Sequence, residues 1–186
     1  RVQSALHGEK AGDMRVVMAQ RNPLVGDIEG NADAVVAAAR EARNLLGAEL
    51  VVFPELVLTG YPPEDLVLYD NFIAANKAAL GRIASTVGDI VALVGFVDSE
   101  TTDSGTKLYN AAAVLHNRKV VATYRKIHLP NYGVFDERRY FTAGNECPIL
   151  SIKGIKVGLN ICEDIWEPIG PSEVQCANGA QIIVNL

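Results

Sequence analysis

The sequence is short of the residues from which disulfide frameworks, zinc sites and membrane spans are built. Its 186 residues include three cysteines, Cys147, Cys162 and Cys176, an odd number without paired short spacing. Neither a disulfide framework nor a zinc site of the CxxC or HxxxH type is expected. No apolar run approaches the ~20 residues that a membrane span needs. We therefore expect a cytoplasmic protein with free thiols, no bound metal and no membrane contact.

Basic residues are also too few for a protein that mainly binds nucleic acid. Lysine and arginine number 17 against 22 aspartates and glutamates, a net charge of −5, whereas phosphate binding needs a basic face. Hydrophobic residues make up 49%, enough for the substantial core of one domain. The polar stretch 1–13 lacks the apolar segment of a signal peptide. We interpret it as an N-terminal extension or tag remnant that precedes a domain over 14–186.

The apolar residues recur with the spacings of both strands and helices. Short apolar runs predict strands at 15–20 (buried), 50–53, 90–97, 108–115, 120–124, 149–152, 155–161 and 182–186. Helical spacing predicts helices at 32–46, 71–87 and 171–177. Asp27 or Asn31 could cap the first helix, and a polar turn is expected at 99–105. Strand pairs around 116–119 and 153–154 predict hairpins, so the chain is expected to be an α/β or α+β layered domain with a mixed sheet.

Three polar residues, Glu55, Lys126 and Cys162, stand where predicted strands end. Strand side chains alternate between faces, so Cys162 is expected opposite the aliphatic residues of its strand and beside Asn160. A carboxylate, an ammonium and a thiol can together make and collapse an acyl intermediate, and the ammonium would lower the pKa of the thiol. Each residue also has a plainer interpretation: a solvated carboxylate, a basic surface patch and a small core side chain.

Two other arrangements of polar residues remain open at this point. His128 could pair with Cys162, although such a pair gives no role to Glu55. Glu163 and Asp164 could bind a metal ion, yet adjacent carboxylates on a strand end point in opposite directions. We therefore favour the glutamate–lysine–cysteine set and expect no metal site. The other two cysteines have no such polar context, and we interpret them as small core side chains.

Longer motifs around these residues resemble one enzyme family. They are Phe-Pro-Glu-Leu-Val-Leu-Thr-Gly-Tyr-Pro-Pro-Glu-Asp-Leu at 53–66, Lys-Ile-His-Leu-Pro-Asn-Tyr-Gly-Val-Phe-Asp-Glu-Arg-Arg-Tyr-Phe at 126–141, and Asn-Ile-Cys-Glu-Asp-Ile-Trp at 160–166. All three are similar to the nitrilase, or carbon–nitrogen hydrolase, superfamily and, within it, to the glutaminase domains of glutamine-dependent NAD+ synthetases. The resemblance extends over 14–186. It implies an αββα sandwich that is truncated on its C-terminal side.

The resemblance also implies catalytic roles. Cys162 would attack the side-chain amide of glutamine, with Glu55 as general base and then as the acid that protonates departing ammonia. Lys126 and the backbone N–H of Glu163 would hold the oxyanion. Glu137 would be a second glutamate that orders the site. Water would then hydrolyse the thioester to release glutamate.

Substrate and partners are implied in the same way. Tyr61 and Tyr132, with Glu163, would position glutamine, and the protein would form homo-oligomers. Ammonia would pass to a C-terminal synthetase domain of the same polypeptide, which uses ATP and magnesium to amidate deamido-NAD+. The Ser-Gly-Gly-x-Asp-Ser loop of that domain does not occur in this sequence, so no cofactor is expected for this chain itself. A stand-alone amidase or carbamoylase, and a non-catalytic interaction module on the same fold, are the alternatives.

Overall fold

The computed structural model describes residues 13–103 and 105–186. The interpretation of 1–13 as an extension therefore falls, apart from Asp13, outside the described residues. The strands are β1 (Val16–Met18), β2 (Leu50–Val52), β3 (Val91–Thr102), β4 (Gly105–His116), β5 (Lys119–Arg125), β6 (Ile149–Ile152), β7 (Ile155–Asn160) and β8 (Ile182–Asn185). The α-helices are α1 (Ile28–Asn44), α2 (Asp70–Thr86) and α3 (Pro171–Ala177). Short 3-10 helices cover Glu64–Leu68, Glu137–Arg139 and Cys162–Ile165.

The described strands form two mixed sheets. The larger sheet has the order β1-β2-β3-β4-β5, in which β1, β2 and β3 are parallel and β3, β4 and β5 are antiparallel to one another in turn. The smaller sheet has the order β6-β7-β8, in which β6 is antiparallel and β8 parallel to β7. The α/β class is confirmed, and the mixed sheet expected from the element order is two sheets rather than one.

Two apolar layers hold the sheets and helices together. Val51 and Phe53 pack with α1 and α2 on one face of the larger sheet. Leu50 and Leu93 lie on its other face and pack against Leu159 and its neighbours in the smaller sheet. Burial on both faces explains the continuous apolar run of β2. Because α3 covers β7 from the outside, the layers run helices, sheet, sheet, helix, and the αββα sandwich implied by the resemblance is confirmed.

The start of α1 follows the predicted capping chemistry. Asp27 is the cap, since its side chain accepts a hydrogen bond of 3.0 Å from the backbone N–H of Gly30. Asn31, the other candidate, is buried within the helix, and its amide donates to the carbonyl oxygens of Leu24 and Leu58. Asn31 therefore ties the helix to the loop that follows β2, close to the candidate site.

The prediction that the first strand is buried was wrong. Val16 is 38% and Met18 is 83% exposed. The reason is topological, because β1 pairs only with β2 at the edge of the larger sheet. An apolar run predicts a strand, but only the sheet order decides whether that strand is covered.

The polar turn expected at 99–105 was also wrong, because residues as far as Thr102 continue β3 and pair with β4. Charge pairing accommodates these polar residues in a strand. Arg125 of β5 binds Asp98 at 2.8 Å and Glu100 at 2.7 Å, and its guanidinium stacks 3.8 Å above the ring of Tyr109. The resulting ribbon holds the end of β5, from which the lysine of the candidate site leaves the sheet.

Both predicted hairpins are confirmed, at β4–β5 and β6–β7. Their turn residues have positive φ, +49° and +63° at Asn117 and Arg118, and +48° and +80° at Lys153 and Gly154. Two such residues in succession form the turn that matches the twist of antiparallel strands. In the described part of the chain, no helix has both the length and the apolar character needed to cross a membrane.

Candidate active site

The three polar residues predicted at strand ends lie together between the two sheets. Glu55 is in the turn after β2, Lys126 directly follows β5, and Cys162 follows β7. The Lys126 ammonium donates to Glu55 Oε1 at 2.7 Å and to Glu137 Oε1 at 2.8 Å. Its side chain is 0% exposed, so the interpretation of Lys126 as part of a basic surface patch was wrong. Two carboxylates and one ammonium form a buried polar cluster.

The turn that carries Glu55 packs unusually closely against β3. A Cβ atom at Gly95 would collide with the carbonyl oxygen of Pro54 and the backbone nitrogen of Leu56. Leu56 itself has a φ of +47°, and its N–H lies over the strand. The glycine in β3 therefore lets the chain turn sharply enough to bring the Glu55 carboxylate, 13% exposed, onto Lys126.

Asn110 of β4 is a fourth member of the cluster, and it was not among the residues predicted from the sequence. Its amide donates to Glu55 Oε1 at 2.6 Å and to Glu137 Oε2 at 3.3 Å, and the residue is 0% exposed. Its Oδ1 atom is buried and has no hydrogen-bond partner among residues 13–103 and 105–186. The available signal was a single amide inside the apolar run of β4, where a buried polar side chain needs a partner.

Cys162 does not lie where strand alternation placed it. β7 ends at Asn160, and Cys162 begins a 3-10 helix with a φ of +45°. The residue packs partly against the same aliphatic cluster as Leu159, so the expected position opposite those side chains was wrong. Its N–H donates to the carbonyl of Leu186 at 2.8 Å, and Asn185 Nδ2 donates to its carbonyl at 3.2 Å. A non-glycine residue held at positive φ is strained backbone of the kind that clusters at functional sites.

The electrostatics of the cluster keep the thiol neutral and the lysine charged. Burial first, then the charge of Glu55, raises the pKa of Cys162 to about 11. Lys126 lowers that pKa, as expected, but burial and the carboxylates outweigh its effect, so the net shift is upward. Burial alone disfavours the charged ammonium, yet Glu55 and Glu137 together raise the pKa of Lys126 above its ordinary value. Burial and the neighbouring Glu55 raise the pKa of Glu137.

The two tyrosines singled out by the resemblance lie on either side of this cluster. The half-buried Tyr61 donates to Glu137 Oε1 at 3.0 Å, and burial followed by the charge of Glu137 raises its pKa. Tyr132 is 59% exposed and donates to Glu163 Oε2 at 2.8 Å. A cavity of about 510 Å³ borders Tyr132 and Glu163, and one of about 260 Å³ borders Tyr61 and Glu137. The smaller cavity borders the polar cluster at Glu137, whereas the larger one borders Ile127 and Glu163, the residues that directly follow Lys126 and Cys162.

The described part of the chain does not form the two alternative arrangements, a His128–Cys162 pair and a metal site at Glu163 and Asp164. Among the described residues, no hydrogen bond joins the His128 ring to Cys162, while His128 borders the larger cavity. Glu163 faces Tyr132, whereas Asp164 is fully buried and bonded elsewhere, so the two carboxylates diverge. Within residues 13–103 and 105–186, no group of three His, Cys, Asp or Glu side chains could hold a metal ion.

The other two cysteines differ from each other. Cys176 is exposed on α3, so its interpretation as a core side chain was wrong. Cys147 is partly buried, and burial together with the negative charge of Asp164 raises its pKa. Cys162, by contrast, lies beside the carboxylate of Glu55 and the ammonium of Lys126.

The chain is similar to known enzymes over nearly its whole length. The family model described as carbon-nitrogen hydrolase matches residues 15–186. The glutamine-dependent NAD(+) synthetase of Thermotoga maritima is 47% identical over 176 residues, which make up 93% of this chain and 30% of that protein. The chain therefore spans about 30% of the length of this curated relative.

Solved structures show the same likeness. The glutamine-dependent NAD+ synthetase from Acinetobacter baumannii, in complex with ADP, has a TM-score of 0.84 and 38% identity over 92% of this chain and 31% of its own. A variant of the amidase from Nesterenkonia sp. AN1, with the acetamide moiety of fluoroacetamide added covalently at the active site cysteine, has a TM-score of 0.76 and 26% identity over 92% and 64%. With the family match over 15–186, these likenesses show that the chain belongs to the carbon–nitrogen hydrolase family.

Proposed function

We propose that residues 14–186 are the N-terminal part of a glutaminase domain that hydrolyses the side-chain amide of glutamine. The observation that carries the proposal is a fully buried ammonium, Lys126, held between Glu55 and Glu137 beside the Cys162 thiol. Burying a charge with its partners costs much of what their attraction gains, so it is weak support for stability. Such an ammonium can instead stabilise the negative charge that develops on the oxygen of a reacting carbonyl.

In the first half-reaction, Cys162 Sγ bonds to the amide carbon of glutamine while Glu55 takes the thiol proton. The thiol is neutral at rest, with a pKa of about 11, so proton removal accompanies the attack rather than preceding it. The amide oxygen gains the negative charge, which Lys126 and the backbone N–H of Glu163 stabilise. That N–H belongs to the first turn of a 3-10 helix, where N–H groups have no partner within the helix.

The intermediate collapses when Glu55 gives its proton to the amide nitrogen. The C–N bond breaks, ammonia leaves, and a γ-glutamyl thioester remains on Cys162. Glu55 then takes a proton from water as the water oxygen attacks the thioester carbonyl. The C–S bond breaks, glutamate leaves, and the Cys162 sulfur recovers the proton from Glu55. Glu137 holds Lys126 in place throughout.

Glutamine is proposed to bind between the two tyrosines. An acidic side chain, Glu163, and the hydroxyl of Tyr132 lie on the rim and can bond the polar α-substituents of an amino acid. Tyr61 lies on the other side, bonded to Glu137 inside the cluster. The covalent addition at the cysteine of the Nesterenkonia amidase supports a cysteine nucleophile in this fold.

We propose further that the ammonia serves the amidation of deamido-NAD+ to NAD+ by a synthetase domain of the same polypeptide, as the names of the synthetase relatives suggest. ATP and magnesium are assigned in this proposal to the synthetase domain, and no step above depends on them. A homo-oligomer that works in the cytoplasm completes the proposal.

The test is to supply the full-length protein with glutamine, ATP, magnesium and deamido-NAD+ and to measure NAD+, glutamate and ammonia. The expected result is NAD+ formation with glutamine or with free ammonia as the nitrogen source. NAD+ formation from ammonia alone, without glutamate release from glutamine, would show that the Cys162 site is not a glutaminase.

A stand-alone amidase is the second candidate, because the Nesterenkonia amidase shares the fold and this chain covers 64% of it. The two candidates differ in what the site must recognise beyond the amide. An amidase would hydrolyse acetamide about as well as glutamine, whereas a glutaminase uses contacts to the α-substituents and would hydrolyse acetamide far more slowly. Comparing kcat/KM for the two amides separates them.

A further inference from the structure

Asp164 is a fully buried carboxylate that the proposed reaction does not use. Its Oδ1 atom accepts hydrogen bonds from the backbone N–H groups of Ile127, at 3.2 Å, and His128, at 2.8 Å. Its Oδ2 atom accepts from the Tyr124 hydroxyl, at 2.6 Å, and from the backbone N–H of Ile161, at 3.0 Å. Both oxygens are thus occupied, each by two donors.

These donors lie on both sides of the candidate site. Two of the backbone groups directly follow Lys126, at the end of the larger sheet, and the third directly precedes Cys162, at the end of the smaller sheet. One side chain therefore joins the segment that carries the ammonium to the turn that carries the thiol. These hydrogen bonds therefore fix the distance between the Lys126 segment and the Cys162 turn. The backbone hydrogen bonds within either sheet cannot do so.

The same carboxylate also closes the turn at Cys162. The Asp164 N–H donates to the carbonyl of Ile161 at 3.1 Å, while Ile161 N–H donates back to the Asp164 side chain. Cys162, the first of the two residues between them, is held at a φ of +45°. Strained backbone persists only where its surroundings over-determine it, and these reciprocal bonds supply that restraint.

We propose that Asp164 is a positioning residue for the amide hydrolysis: it holds the Cys162 thiol at the distance from Lys126 at which one carbonyl can meet both groups. The inference rests on the proposed glutaminase function. It assigns to Asp164 no contact with substrate and no proton transfer.

The chemistry of the four donors explains why a carboxylate is needed here. All four are neutral N–H or O–H groups, so the site demands four acceptor positions rather than a charge partner. A carboxylate has two acceptor oxygens, whereas an amide has one, and its NH₂ group would face donors. Asp164→Asn keeps the size of the side chain but leaves one pair of donors unsatisfied.

The experiment compares Asp164→Asn with Tyr124→Phe in the full-length protein. Tyr124→Phe is the matched control, because it removes one bond to the same buried carboxylate. It leaves the two backbone bonds from Ile127 and His128 that join the two sheets, and the bond from Ile161 that closes the turn at Cys162. Glutamine hydrolysis gives kcat and KM, thermal unfolding gives stability, and mass spectrometry gives the rate of iodoacetamide alkylation at Cys162 relative to the exposed Cys176. All assays are run well below the unfolding temperature of each variant.

We expect Asp164→Asn to lower kcat about a hundredfold, the effect of roughly 1 Å of misplacement, with KM nearly unchanged. We also expect it to raise the Cys162-to-Cys176 alkylation ratio severalfold, because a displaced thiol is less buried and farther from the carboxylates that disfavour its thiolate. Tyr124→Phe should be destabilised but should keep both values near those of the wild type. If Asp164→Asn does not fold, Asp164→Ser, a smaller side chain with one hydroxyl, is measured in its place.

A kcat and an alkylation ratio in the Asp164 variant that match those of Tyr124→Phe would overturn the inference, because both residues would then act through stability alone. A loss confined to KM would overturn it as well. A wild-type protein that does not hydrolyse glutamine refutes the proposed function instead, and the alkylation ratio still decides whether Asp164 positions the thiol.

Discussion

The two sheets contribute unequally to the candidate site. The larger sheet supplies Glu55, Asn110 and Lys126, which bond to one another or to a shared partner within 2.6 to 3.3 Å. The smaller sheet supplies Cys162 on a strained, partly buried turn. The acid–base groups are thus fixed within one sheet, while the proposed nucleophile reaches them across the interface between the sheets.

The larger sheet is also packed more completely than the smaller one. The larger sheet is covered by α1 and α2 on one face and by the smaller sheet on the other. Beyond the smaller sheet, Trp166 is 75% exposed and Ile169 is 84% exposed. We infer that the larger sheet preorganises the charges and that the position of the thiol depends on a few cross-sheet bonds. The predictions below separate these contributions.

The largest expected effect is the loss of glutamine hydrolysis when a proposed catalytic side chain is removed from either sheet. In the full-length protein, Glu55→Ala on the larger sheet and Cys162→Ala on the smaller one should each lower glutamine hydrolysis by about 10⁴-fold or more. Ammonia-dependent NAD+ formation should persist in both, because the proposal assigns that step to a separate synthetase domain. The double variant should be no worse than either single one, since groups that act as a unit are not additive. Loss of the ammonia-dependent activity in Cys162→Ala would contradict the assignment.

The free energy of unfolding should differ between variants of the two sheets, even though their loss of activity is the same. Lys126→Met leaves two carboxylates buried without their cation, and breaking a buried pair in this way costs about 3 kcal/mol or more. Cys162→Ala removes one partly buried sulfur and should cost about 1 kcal/mol. Urea unfolding of both variants and the wild type measures the difference. Equal losses would mean that the charged cluster is no more fixed than the thiol.

A third prediction concerns the thiol alone and follows from its raised pKa. The ordinary value is 9.0 and the folded value about 11, so the unfolded chain loses this proton first as pH rises. The stabilisation is fully present below about pH 9 and is lost by about pH 11. Solvent screening of a partly exposed group reduces it to about 1 kcal/mol.

The control for this effect is Cys162→Ser, whose hydroxyl does not titrate in that range. Urea unfolding is compared at about pH 8 and about pH 10.5. The wild type should lose about 1 kcal/mol more than Cys162→Ser over that interval, since the other titrating groups are common to both proteins. Parallel losses would show that Cys162 titrates in the folded protein as it does in the unfolded chain.

Much of this organisation could be predicted from the sequence, because it depends on local patterns. Apolar runs and helical spacing gave the elements, both hairpins and the Asp27 cap. The strand ends also identified Glu55, Lys126 and Cys162, and the structure brings all three together. Strand ends are informative because β2 and β5 run in the same direction within the larger sheet, with β3 and β4 between them, and the end of β7 in the smaller sheet brings Cys162 beside them.

What could not be predicted depends on contacts between distant parts of the chain. The burial of Lys126 requires Glu137, and the role of Asn110 requires both glutamates, which no local pattern reveals. The alternation rule failed at Cys162 because it holds only within a strand, and β7 ends at Asn160. The sequence suggests for Asp164 only a possible metal ligand. Its four hydrogen-bond donors come from two sheets, and no local pattern places them together.

The smallest expected effect compares two tyrosines that each bond a carboxylate. Tyr61→Phe removes a half-buried bond to Glu137, within the cluster of the larger sheet, and should cost about 1 kcal/mol of stability. Tyr132→Phe removes an exposed bond to Glu163, beside the thiol of the smaller sheet, and should leave unfolding unchanged. If both tyrosines position glutamine, KM should rise severalfold in each, with kcat less affected. A KM that rises only in Tyr61→Phe would place the substrate on the side of the larger sheet alone.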